Sequence, residues 1–169
     1  MTDFNQIAAP ASASGPDDER PVSISARLGR LQFHRSGKFR VLQLADIQDG
    51  PKVSKDTIRL IEASLDAARP DVVIFTGNQI AGYDDAYCDT FRKRQWEPAR
   101  RGKIERTRAK VRAGISAFLQ PLIDRGIPFA VTYGNHDAQC GLSPAELDAL
   151  YREFPGCINP PCNMDDSAA

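Results

Sequence analysis

Three short polar clusters hold residue types that could do chemistry together: Asp46-Ile47-Gln48, Gly77-Asn78-Gln79 and Gly134-Asn135-His136-Asp137. Each follows an apolar run that reads as a buried strand, over Phe39 to Ala45, Asp71 to Phe75 and Ile127 to Tyr133. Ligands of open α/β sheets gather at the carboxyl ends of strands, so the three clusters are expected to converge on one sheet edge. Taken singly, each is an ordinary loop, because Asp, Asn and Gly are the common turn formers. Together, Asp, Asn and His offer hard oxygens plus an imidazole, a donor set suited to Mn, Fe or Zn rather than to a soft metal. Histidine is scarce: the chain has two, His34 and His136, and only His136 lies in a cluster.

Asp46 at the end of FRVLQLADI, Gly77-Asn78 after VVIFT and YGNHD at 133–137 resemble the motifs of the calcineurin-like metallophosphoesterases. The resemblance is to the Dcr2-like and purple-acid-phosphatase-like branch, and it runs from about Leu31 to Asp137. It implies a partial four-layer α/β/β/α sandwich, with a mixed sheet and flanking helices, and the hydrolysis of phosphoesters. It also implies two divalent ions that activate a bridging water and neutralise the phosphoryl oxygens. Carried over by position, Asp46 and Gln48 would hold the first metal, Asn78 would bridge both, and Asn135 would hold the second and the substrate phosphate. His136 would contact the substrate and stabilise the transition state or protonate the leaving group, with Asp137 orienting it.

Two of these positions depart from the family pattern. Gln48 stands where D-x-H has histidine, and Asn78 stands where G-D has aspartate. A neutral asparagine bridges two cations poorly. The family's later motifs, an isolated histidine and G-H-x-H, have no counterpart after His136. The chain therefore reads as the N-terminal portion of the fold, a metallophosphoesterase by family with an altered site. The alternative is a non-catalytic remnant that binds a metal or an anionic partner through a basic segment.

The elements that must position these clusters follow from length and pattern. At 169 residues, one domain is expected, and 41% hydrophobic with 26% charged residues is a globular composition. The 22 basic and 22 acidic side chains cancel, which argues against a surface that coats nucleic acid. No apolar run approaches the roughly 20 residues that span a bilayer. Four cysteines without an export signal suggest reduced thiols and a cytoplasmic location. Residues 1–21 are Ala-, Ser-, Pro- and Asp-rich and read as a disordered arm, 22–158 as the phosphoesterase portion, and 159–169 as an irregular tail.

Within 22–158, a hairpin is expected around Arg35-Ser36-Gly37-Lys38, with its second strand, Phe39 to Ala45, central and buried. Ser54 should cap a helix whose face is Ile58, Ile61, Leu65 and Ala68. A second helix should carry Val111, Ile115, Phe118, Leu119 and Leu122, kinked or shortened by Pro121 and stopped at Gly126. Ser143-Pro144-Ala145-Glu146 is a capping box that starts a third helix, to about Phe154. Strands alternating with long helices mean an α/β sheet that is at least partly parallel. An incomplete sheet would expose apolar faces, so association is expected.

The remaining candidates have plainer explanations. His34 belongs to the hairpin. Residues 92–112 hold ten Lys or Arg against Glu97 and Glu105, and with Phe91 and Trp96 could contact an anion; a solvated insertion is the simpler account. Cys140, Cys157, Cys162 and His136 lack zinc-site spacing. Asp84, Asp85 and Asp89 read as a hydrated loop.

Overall fold

The computed structural model describes residues 31–94, 97 and 103–160. The arm expected over 1–21 lies outside the described residues, as do Trp96, Arg100, Arg101 and Cys162. The chain divides into two units, Met1–Phe39 and Arg40–Ala169. In the first, the Gly37 N–H donates to the His34 carbonyl (2.9 Å) and the His34 N–H to the Lys38 carbonyl (2.9 Å). Gly37 makes this turn at φ 77°, and the Phe33 and Phe39 rings lie 5.6 Å apart. His34 is half-buried at the turn. No strand precedes β1 among the described residues, so the expected hairpin is present as its turn.

The second unit runs β1 (Val41–Leu44), α1 (Lys55–Ala68), β2 (Val72–Thr76), α2 (Ile104–Asp124), β3 (Phe129–Thr132) and α3 (Pro144–Arg152). The strands form one parallel sheet in the order β1-β2-β3. Leu42, Val73 and Phe129 stand in register, as do Leu44, Phe75 and Val131, and all six join the hydrophobic core. Helical spacing puts Ile61 and Leu65 of α1 and the α2 stripe Val111, Ile115, Phe118, Leu119 and Leu122 against that same face. The Phe75 ring sits 5.6 Å from Phe118 and 6.1 Å from Phe129, which ties sheet to helix at the core's centre. The α/β class with flanking helices is as expected, and the described strands are parallel throughout.

The helix ends follow their local signals. The Ser54 hydroxyl accepts from the Asp56 N–H, and Ser143 and Glu146 complete the reciprocal capping box of α3. Two expectations change. α2 is not shortened at Pro121 but runs through it to Asp124, with the proline buried three residues from the helix end. β1 is an edge strand of the described sheet rather than a central one: Val41 is 58% exposed, and only Leu42 and Leu44 reach the core. Asn159, expected to begin the tail, belongs to the fold. Its carboxamide accepts from the Val131 N–H (2.8 Å) and donates to the Val131 carbonyl (3.0 Å), copying a strand partner along β3.

Candidate functional site

The loops that leave β1 and β2 continue side by side past the strand ends. The Asp46 N–H donates to the Gly77 carbonyl (3.1 Å), Gln48 N–H to the Asn78 carbonyl (3.0 Å), and Ala81 N–H to the Asp49 carbonyl (3.0 Å). Along this rim three non-glycine residues adopt left-handed backbone: Asp46 (φ 52°), Gln48 (φ 46°) and Asn78 (φ 56°). Such backbone is unfavourable for side chains with a Cβ and persists where the surroundings over-determine it, often at functional sites. Arg69, the C-cap of α1, is the one other such residue among those described.

The loop after β3 closes on this rim through Asp137, which is fully buried. Its carboxylate accepts from the backbone N–H groups of Asn78 (2.7 Å), Gly134 (2.7 Å) and Ile80 (2.8 Å). Burial raises this carboxyl above its ordinary value, against the downward pull of those N–H donors. Gly134 is needed for the close approach, since a Cβ there would lie 2.1 Å from Asn78 Oδ1.

The side chains form one connected network. Asp46 Oδ1 accepts from Asn78 Nδ2 (3.0 Å) and from Gln48 Nε2 (3.0 Å). The Asn78 and Gln48 bonds hold the exposed Asp46 carboxyl below its ordinary value. Asn78 Oδ1 in turn accepts from the His136 N–H (3.0 Å). Tyr83, which sequence reasoning missed, donates its hydroxyl to Gln48 Oε1 (2.9 Å) and lies edge-on to the His136 ring at 5.0 Å. No periodic signal marks an isolated tyrosine in a turn-rich loop. Asn135 is exposed beside them. The structure thus brings Asp46, Gln48, Asn78, Asn135 and His136 to one edge. Asp137 lies directly beneath, bonded to loop backbone rather than to the His136 ring. The partner of His136 Nδ1 is instead Gln139 Oε1, at 2.8 Å.

This donor set does not fit a pair of bridged cations. Asn78 spends its amide oxygen on His136 and its NH₂ on Asp46, and Gln48 also turns an NH₂ toward Asp46. Two N–H donors therefore occupy one of the two carboxylate oxygens of Asp46, and neither amide turns an oxygen toward it. Among the described residues no group of three His, Cys, Asp or Glu is placed to hold a metal ion. Cys140 and Cys157 are free thiols, and Asp84 caps a 3-10 turn through the Ala86 N–H (2.7 Å).

Much of the basic segment is spent internally. Arg92 donates to the carbonyls of Ala138 (2.8 Å) and Leu142 (2.6 Å), and Lys110 to that of Ala86 (2.6 Å). Arg108 pairs with Glu146 and Arg112 with Glu153. Arg92 braces the β3 loop and Lys110 the loop after β2, while Arg108 and Arg112 are paired with carboxylates of α3 and its C-cap.

The calcineurin-like phosphoesterase model matches residues 39–166 of the chain. Phosphatase DCR2 of Saccharomyces cerevisiae is 27% identical over 151 residues, covering 80% of this chain and 22% of that protein. The Arabidopsis thaliana protein named "Probable inactive purple acid phosphatase 14" is 21% identical over 151 residues, 78% of this chain and 32% of its own length. "Probable inactive purple acid phosphatase 29", also of Arabidopsis thaliana, is 23% identical over 160 residues, 83% of this chain and 35% of its own. The chain spans between about a fifth and a third of these relatives' lengths. No solved structure matches it.

Proposed function

The chain belongs to the calcineurin-like phosphoesterase family, and from that premise we propose that it is a phosphoesterase-type module that does not hydrolyse phosphoesters on its own. The family generally works with two metal ions on phosphoester substrates. Support for a non-hydrolytic reading comes from Asn78. Where the resemblance implies a bridging ligand, this residue is a clamp, joining Asp46 of the β1 loop to His136 of the β3 loop by two hydrogen bonds. What the chain keeps is the ligand-facing side, Asn135 and His136. The relatives named as inactive purple acid phosphatases agree with this reading. A cytoplasmic location is part of the proposal, supported by Cys88, Cys140 and Cys157 as free thiols. Among the described residues no helix is long and apolar enough to cross a membrane.

One observation favours a second reading, in which the chain retains hydrolysis. Among the described residues His136 Nε2 has no hydrogen-bond partner, which leaves a proton-exchanging atom available at the site. Turnover of p-nitrophenyl phosphate with added Mn²⁺ separates the two. We expect none at any Mn²⁺ level, and turnover abolished by His136→Ala would establish the second reading. Thermal melts of the double variant Gln48→His, Asn78→Asp supply the complementary test. The variant should melt below the wild type without metal, because a second carboxylate then faces that of Asp46, and Mn²⁺ should raise its midpoint. An equal Mn²⁺-dependent rise in the wild type would sink the proposal.

A further inference from the structure

We propose that Gln139 is a positioning residue that fixes the tautomer of His136, keeping the proton on Nδ1 and leaving Nε2 as the single atom of the ring that exchanges a proton with a ligand. The inference rests on the reading of His136 as the ligand-facing group of this site.

The assignment follows from which atoms can donate. Gln139 touches the Lys93 carbonyl at one end of its amide (2.9 Å) and His136 Nδ1 at the other (2.8 Å). A carbonyl oxygen only accepts, so the end facing Lys93 is the NH₂ group. The end facing His136 is then Oε1, which also only accepts, so Nδ1 must carry the hydrogen. Both supports of the amide are fixed. Gln139's own N–H donates to the His136 carbonyl (3.1 Å), and its carbonyl accepts from the Arg92 N–H (3.0 Å). The Arg92 guanidinium binds the Ala138 and Leu142 carbonyls and so pins residues 92–93 to the β3 loop. The start of the basic segment thereby orients a side chain of the site.

The consequence is directional. With Nδ1–H held by Oε1, a neutral His136 accepts at Nε2, and a protonated one donates there. The Nδ1 bond survives both states. A ligand must present to Nε2 either an acceptor oxygen, when the ring is charged, or a hydroxyl or water, when it is neutral. A phosphate oxygen supplies the first, and a water or an alcohol hydroxyl supplies the second. Tyr83 packs edge-on to the ring and limits its rotation.

Tautomers are read directly by long-range ¹H–¹⁵N correlation spectra of the uniformly labelled full chain without metal. The spectra are taken on the alkaline side, at a pH above which the ring signals no longer change. His34 is the other histidine, and His34→Gln assigns the His136 signals. The wild type should show the Nδ1–H pattern for His136. Gln139→Leu removes the acceptor and should lose that pattern in favour of Nε2–H, the form a free imidazole prefers. Gln139→Glu keeps an acceptor oxygen and should retain Nδ1–H. An Nε2–H pattern in the wild type would overturn the inference, as would an unchanged pattern in a folded Gln139→Leu. If Gln139→Leu does not fold, loss of Nδ1–H in Gln139→Glu overturns it instead. None of these readouts needs turnover, so a chain that hydrolyses nothing can still show the tautomer. Conversely, a hydrolytic chain with the other tautomer would refute this inference alone.

Discussion

At the scale of single residues, the rim of the sheet is held by carboxamides doing work that charged groups do in metal sites. Asn78 reaches in two directions at once from a left-handed backbone. Its neighbour Gln79 shows the cost of such a neutral polar rim. It is 1% exposed, and among the described residues neither end of its amide has a hydrogen-bond partner. An unpartnered buried amide is destabilising by about 1–3 kcal/mol. Gln79→Leu should therefore raise stability by about that amount in urea melts, a rare gain from a change next to a functional rim. A loss of stability would instead reveal a bound water or ligand that satisfies the amide. Nothing in the sequence marks Gln79 as buried, since it follows a polar neighbour and its burial comes from the packing of loops distant in the chain. The convergence of Asp46, Asn78 and His136 was legible, because strand ends are local signals and sheets collect them. The partners of His136 and Asp137 were not, because which oxygen meets which N–H depends on loop paths. Asp137 sits beside His136 in sequence yet serves the backbone of Asn78 and Ile80.

At the scale of elements, α3 depends on two carboxylates of opposite duty. Glu146 closes the helix start with Ser143 and pairs with Arg108, while Asp148 accepts from Tyr133 (3.1 Å), Asn159 (2.8 Å) and Arg152. Partial burial works against ionisation of each, but the surrounding donors outweigh it and hold both below the ordinary carboxyl value. A carboxyl depressed in the folded state contributes stability that is complete above its unfolded value, about 4, and is lost as pH falls through the folded value. Asp148→Ala should cost about 1–3 kcal/mol near neutral pH, since the Tyr133 hydroxyl and the Asn159 amide lose their acceptor. That cost should shrink in melts taken below about pH 4. A cost independent of pH would show that packing, not the carboxylate, is what the variant removes. α3 itself was legible from Ser143-Pro144-Ala145-Glu146, and the α2 stripe from its spacing, because caps and periodicity are written within a few residues. The edge position of β1 in the described sheet was not, because FRVLQLA has the apolar content of a central strand.

At the scale of the whole molecule, the described sheet is clothed on one face. Leu42, Leu44, Val73, Phe75, Phe129 and Val131 meet the helices. On the other face Val72 is buried, Ile74 and Ala130 are half-buried, and Val41, Gln43, Thr76 and Thr132 are exposed. Gln43 reaches across this face to donate to the Thr76 hydroxyl (3.0 Å), the sort of polar cover a solvated sheet surface uses. Parallel sheets are ordinarily buried on both faces, and an exposed edge strand with apolar side chains is a template for further pairing. Val41, at the edge of the described sheet, and Ile74, which pairs with Gln43 on the same face, therefore predict association of copies of this chain as concentration rises. Sedimentation velocity across a dilution series should show a concentration-dependent shift in the wild type. The double variant Val41→Lys, Ile74→Lys should abolish it, because lysines on an edge and its adjoining face oppose pairing. Neither position contributes to the helix-side core, so the variant should stay folded. A wild type that sediments as a monomer at every concentration would show that Gln43 and the threonines suffice to keep this face wet.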